Sequence, residues 1–368
     1  MFSLPLMALW QGWAPPPVTF QPSLNLRSRL WVEDNSPLVG TRARIGLEAH
    51  RLGVGAKVSL QVVREWLQQP GPVVATGGTD SVLADGWISV EGGLSENIAL
   101  SMKLGRQPVH VDDGRLVGSD DFSLTGRYLD ALQLKLELAP LHFQFFNARR
   151  FDDPESDPLG LGVNILVVGA GRQVDNLDWL VDAVAVVDAR HTRQTSSTAG
   201  IYGRVEYARL RARAEGYLQD AGSGVGGLMS LRAGWIFGNF EGLRLDGSLD
   251  LATGQSENWA AWQPVLGDSH REWGRLDVFA DPGAYATGGL GDLQLGLGSR
   301  LLPALSLDGK IHRFWAPLSQ TGRGTEGDLE LNCALSPLVA VQGGGGYLLA
   351  DPGGRNHGLG WVELDATF

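Results

Sequence analysis

Cysteine is all but missing from this chain. Cys333 is the only one in 368 residues, which excludes a disulfide-built scaffold and a cysteine zinc site. A basic excess is missing too: 41 acidic against 30 basic residues leave a net charge of −11. A nucleic-acid binder needs a basic footprint, so that class drops out. Lysine is scarce, since only Lys57, Lys103, Lys135 and Lys310 stand among the 30 basic residues and the other 26 are arginine. No stretch of 18 or more apolar residues occurs, so no transmembrane helix is expected. The chain also lacks H-E-x-x-H, G-x-S-x-G and a P-loop. His110, His142, His270 and His312 have no metal-ligand spacing. Catalytic residues, metal ligands and cofactors are therefore all expected to be absent. The GGGG run at 343–346 has no phosphate-cradling pattern and reads as strand glycine. The acid-rich stretch with Asp152, Asp153, Glu155 and Asp157 has oxygen ligands of the kind Ca²⁺ takes, but a solvated loop is the plainer reading.

What the chain does have is a period of two. Leu24, Leu26, Leu30 and Val32 alternate with Asn25, Arg27, Arg29 and Glu33 through Trp31. Ala43, Ile45 and Leu47 alternate with Arg42, Arg44 and Glu48. The pattern returns as Leu210, Ala212, Ala214 and Leu218 against Arg211, Arg213, Glu215 and Gln219, and as Leu243, Leu245 and Leu249 against Arg244, Asp246 and Asp250. Such alternation gives each strand one apolar and one polar face. A soluble sandwich buries the apolar face, whereas an outer-membrane barrel turns it to lipid and lines a lumen with the polar one.

Connection lengths decide between the two. About 18 strands can be counted from Leu24, and every even-numbered connection is short: Arg51–Val54, Ser95–Asn97, Ala139–Pro140, Asp175–Leu177, Ala208–Arg209, Asn239–Gly242, Leu302–Pro303 and Ser336–Pro337. The odd-numbered ones are mostly longer: Leu67–Asp85, Gln107–Gly126, Asp152–Gly160, His191–Thr198, Ala221–Gly226 and Gly254–Gly289. A sandwich has no reason to sort loops by parity, but a barrel with short periplasmic turns and long extracellular loops does. The final segment, Trp361 to Phe368, alternates cleanly and ends on an aromatic residue, as outer-membrane barrels characteristically do. The expected fold is thus all-β, a single antiparallel transmembrane barrel over residues 21–368. Residues 1–20 are expected to be a signal-peptide remnant or an N-terminal tail, and the location to be the bacterial outer membrane. A monomer in contact with the lipid bilayer and lipopolysaccharide is expected.

The alternation predicts a lumen with Arg27, Arg29, Arg42, Arg44, Arg211, Arg213, Arg232 and Arg244 among its cations. Rings of arginine select anions, and the planar guanidinium suits carboxylates. Each also reads as half of a wall-bracing pair with a lumen acid. The stripe Arg27, Arg29, Arg42 and Arg44, with few acids beside it in sequence, is the stronger functional choice. Trp66, Trp87, Trp179, Trp235, Phe237 and Trp273 read as interfacial girdle residues, and Trp259 and Trp262 as a small loop core.

Residues 104–131, LGRQPVHVDDGRLVGSDDFSLTGRYLDA, resemble the signature of the alginate-export family of outer-membrane barrels. Gly105, Arg106, Gln107, Gly114, Arg115, Leu116, Val117, Gly118, Phe122, Arg127, Asp130 and Ala131 carry the likeness, although Gly114 and Arg115 are adjacent where the family pattern has an intervening residue. His312, Arg313 and Phe314 resemble its H-x-F element. The resemblance implies an 18-stranded barrel that exports an anionic polysaccharide with periplasmic export-complex proteins as partners. It places Arg106, Arg115 and Arg127, with Asp130 and His312, among the pore residues. A diffusion porin for small anionic or neutral solutes is the alternative, and a structural or interaction barrel the third reading.

Overall fold

The computed structural model describes residues 17–34, 36–65, 79–95, 97–120, 122–149, 162–189, 195–220, 222, 224–238, 242–263, 265–267, 273–276, 278–279 and 286–368. Trp66, His270 and the acidic stretch 152–157 lie outside the described residues.

Eighteen strands run in chain order. The first six are β1 (Thr19–Glu33), β2 (Ser36–Arg51), β3 (Val54–Glu65), β4 (Thr79–Ser95), β5 (Ile98–Gln107) and β6 (Leu129–Leu138). The next six are β7 (Leu141–Arg149), β8 (Val163–Val174), β9 (Leu177–Asp188), β10 (Ser196–Tyr207), β11 (Leu210–Asp220) and β12 (Val225–Phe237). The last six are β13 (Leu243–Ala252), β14 (Leu290–Leu302), β15 (Leu305–Ala316), β16 (Thr321–Ser336), β17 (Val339–Ala350) and β18 (His357–Thr367). Each pairs antiparallel with its chain neighbours, and β1 pairs with β18 to close the barrel. The seam carries the hydrogen bonds Leu24 N–H to Phe368 C=O and Phe368 N–H to Leu24 C=O, at 2.9 and 2.8 Å. Closure leaves no unpaired edge, which is what an apolar solvent demands of a sheet.

The alternation holds along the strands. Leu30, Ile45, Leu60, Leu104, Ile201, Leu218, Leu295, Ile311, Leu329 and Val362 are all exposed on the outside. So broad an apolar surface has no place in water and fits hydrocarbon. Among the described residues no helix is long and apolar enough to cross a membrane, a condition that does not bear on crossing by strands. Trp235, Phe237 and Tyr207 are exposed beside the short turns, as a girdle requires. Two of the expected girdle residues instead face inward. Trp87 is buried, with the Lys103 ammonium 4.3 Å from its ring, and Trp273 is buried in the β13–β14 connection. A tryptophan's sequence distance from a turn does not tell which wall face it occupies.

The eight even-numbered connections are short, as their parity predicted. β4 begins at Thr79, seven residues earlier than the loop ending at Asp85 implied. The hydrophobic core lies inside the lumen. Val109, Leu116, Val117, Trp262, Leu266, Leu276 and Phe279 from two connections pack against Phe146, Ile165, Val186, Phe314 and Leu348 of the wall.

Candidate functional site

The β5–β6 connection, residues 108–128, carries Val109, Val111, Leu116, Val117 and Leu124, too many apolar side chains to leave in water. It folds into the barrel and buries all five. Its turn is made locally: Gly114 has φ +84°, its N–H donates to Val111 C=O at 2.9 Å, and Val111 bridges Val117. Arg115, at the tip, reaches the β11 and β13 wall. Its guanidinium lies 2.7 Å from Glu215 Oε1 and 3.1 Å from Asp250 Oδ2, with Trp273 stacked at 5.2 Å. Asp113 accepts hydrogen bonds from Arg213 and, at 3.0 Å, from the Tyr202 hydroxyl.

The returning limb lands on β1–β3. Arg29 lies 4.0 Å from the centre of the Phe122 ring and donates to Phe122 C=O at 2.7 Å. Gln61 donates to Thr125 C=O at 2.8 Å, and Arg44 donates to the Tyr128 hydroxyl. β1 and β10 stand nine positions apart around an 18-stranded ring, so these two anchorages are on opposite walls. The connection is a strap across the lumen.

The β13–β14 connection braces it. Leu266 N–H donates to Leu116 C=O and accepts at its carbonyl from Gly118 N–H, both at 2.9 Å. Arg127 donates to the carbonyls of Gly118 and Leu266. Trp262 stacks on Tyr217 of the β11 wall at 6.2 Å, and Trp259 is exposed, so the two do not form the loop core expected of them. Farther on, Arg275 N–H and Leu276 N–H both donate to Glu326 Oε1, and Arg275 pairs with Glu330.

Below the strap tip, toward the short turns, a cavity of about 310 Å³ opens against β10–β15. Arg204, Arg211, Arg213, Arg232, Arg244 and Lys310 line it, against the carboxylates Asp113, Glu206 and Asp246. Its back is a row set by register: Arg204 pairs across with Arg213, and Arg213 with Arg232. Like charges directly opposite destabilise a sheet, so the row is a standing attraction for anions. Each arginine of the row has a wall carboxylate beside it, and Glu215 lies 3.2 Å from Arg213. Arg204 is 3.7 Å from Asp178, Arg232 is 3.7 Å from Asp250, and Arg211 is 3.5 Å from Glu206.

Beside Asp113, Asp112 is held neutral. Burial first, and then the nearby carboxyls of Asp182, Glu215 and Asp113, push its pKa up to about 8. A carboxylate taken out of water next to others of its kind keeps its proton.

The thirteen residues singled out from sequence fall into five places. Arg27, Arg29, Arg42 and Arg44 gather where the strap returns. The sparse acid expected there is corrected by barrel closure: β18 sets Asp365 2.9 Å from Arg27 and Glu363 2.5 Å from Arg29. Arg42 donates to Asn25 at 2.9 Å. Arg211, Arg213, Arg232 and Arg244 line the cavity together, Arg244 also bonding Asp246 and Asp308. Arg115 and Arg127 belong to the strap. Arg106 and Asp130 form a two-pronged pair at 2.9 and 3.1 Å between β5 and β6. His312 is apart from all of these, buried with Asp292 at 2.8 Å and Asp328 at 3.5 Å. Asp113, Tyr202 and Lys310 were missed. Asp113 sits in a loop, where alternation carries no signal, and only register shows that Tyr202 and Lys310 face the same space.

No family model matches the chain, and no curated protein matches it. Solved structures do. Pseudomonas aeruginosa OccK5 (OpdH) is similar at 12% identity and TM-score 0.65, over 95% of this chain and 98% of that one. P. aeruginosa OpdK, solved with vanillate, is similar at 14% identity and TM-score 0.66, over 95% and 98%. Acinetobacter baumannii OccAB4 is similar at 12% identity and TM-score 0.66, over 96% and 99%. At such identities the likeness establishes the fold alone, a closed antiparallel barrel of 18 strands.

The resemblance to the alginate-export family is overturned by these findings, because the similar structures are Occ and Opd porins and not alginate exporters. The 104–131 block has a structural account instead. Gly105, Gly114, Arg106, Asp130, Arg115 and Arg127 start, turn, brace and seat the strap. Polymer export and its periplasmic partners rested on that resemblance and go with it.

Proposed function

We propose that this chain is an outer-membrane diffusion porin, working as a monomer, that admits small anionic solutes and carries out no chemical step. The observation that supports this reading is the row Arg204, Arg213 and Arg232 facing a cavity of about 310 Å³. That volume is the lower end of what small-molecule sites enclose. Arginines that line a passage lower the barrier for an anion, and arginine stays charged at any working pH. The presence of vanillate, an aromatic carboxylate, in the OpdK structure is in keeping with a solute of that size and charge.

Planar-bilayer recording tests the reading. The wild-type channel is expected to prefer anions, and benzoate to interrupt its current. The triple variant R204E/R213E/R232E is expected to prefer cations and lose the benzoate response. A wild-type channel that prefers cations and ignores benzoate would overturn the proposal.

A further inference from the structure

The arginine row is met by one carboxylate that does not come from the wall. Of the three acids lining the cavity, Glu206 and Asp246 are strand residues with arginine neighbours of their own, Arg211 and Arg244. Asp113 is carried in by the strap. It accepts from the Arg213 guanidinium and from the Tyr202 hydroxyl at 3.0 Å. That pair of donors, one guanidinium and one phenol, is what a solute carboxylate would need at this position. The Arg213 side chain is 12% exposed while that of Asp113 is 37% exposed, so the carboxylate sits at the solvent side of the pair. A second acid on Arg213, Glu215, is 1% exposed and is also tied to Arg115, so it belongs to the seat of the strap.

We propose that Asp113 is a built-in stand-in for the solute: it occupies the anion position on Arg213 and Tyr202, and an entering carboxylate must displace it. This rests on the small-anion reading of the cavity. It makes Asp113 the residue that sets how strongly an anion is held. A tethered competitor weakens each binding event by the cost of its own displacement, and weak sites are what let a solute leave as well as enter. The strap's remaining bonds, above all Arg115 on Glu215 and Asp250, keep the stand-in close without requiring the strap to move.

The test measures benzoate block in planar bilayers for the wild type, Asp113→Asn and Asp113→Glu, each first checked for a folded, heat-modifiable barrel. Asparagine keeps the shape and removes the charge, so D113N is expected to lower the half-blocking benzoate concentration by about tenfold, roughly the effect of one close charge pair in a partly desolvated site. D113E restores the carboxylate and is expected to restore wild-type block. Asp351→Asn removes the same charge far from the cavity, where Asp351 pairs with Arg313 at 2.7 Å, and is expected to block like wild type. Wild-type block with equal or weaker block in D113N would overturn the stand-in and leave the anion reading intact. An equal gain in D351N would also overturn it, by making the effect one of net charge. No block in any variant would overturn both.

Discussion

Arg115 is the residue on which the strap's position turns. Its side chain is 4% exposed, and Glu215 and Asp250, at 1% and 0%, share it with Arg213 and Arg232 respectively. Breaking a buried ion pair by removing one partner costs about 3–5 kcal/mol, because the other charge stays buried without it. Arg115→Met is therefore expected to lower the urea midpoint of the barrel and raise single-channel conductance as the tip leaves the wall. Arg115→Lys is expected to recover little of either, since a point ammonium cannot span two carboxylates as a guanidinium does. Unchanged conductance in the methionine variant would show that the tip is held by its apolar neighbours instead. Asp112 adds a pH dependence at the same place. With its pKa raised to about 8 by burial and by the carboxyls around it, the folded chain holds a proton that the unfolded chain gives up near pH 4. The stabilisation is complete below that range and is lost progressively as pH rises through about 8. The urea midpoint is expected to fall between about pH 5 and about pH 8 and then level off, and Asp112→Asn to flatten the slope.

At the scale of elements, the strap begins with a backbone requirement. Gly105 has φ +126°, and a Cβ there would lie 2.2 Å from the Gly86 carbonyl oxygen on β4. Only glycine meets that approach without moving the strand. Gly105→Val is expected to cut the yield of folded, heat-modifiable barrel sharply, with a cost of at least about 1–3 kcal/mol for the backbone alone. A variant that folds at the wild-type yield would mean β4 and β5 can separate here freely. The strap shows why a motif can mislead. Its glycines, Arg106–Asp130 and Arg115 are spaced to enter, turn and seat a loop, and those demands are mechanical. Mechanical demands of that kind carry no information about cargo. The strands were the opposite case. The alternation through Leu210–Asp220 and Leu243–Ala252 put the correct face outward, because a period of two is a property of neighbours in sequence.

At the scale of the molecule, strand number, outward face, short-turn side and the closing aromatic strand were all legible in the chain, since each depends on residues a few positions apart. The alternation also determined that Arg211, Arg213, Arg232 and Arg244 face the lumen. Only the tertiary structure decided which of them stand level with one another, because register is fixed by the pairing of whole strands. It alone decided that the stripe Arg27 to Arg44 meets Asp365 and Glu363, residues more than 300 positions away that arrive only when β18 closes on β1. And it alone decided that two connections turn inward, making a core where a pore would otherwise run wide. Apolar residues in a long loop must find cover, but the sequence does not say against which wall, and that choice placed Asp113 on Arg213.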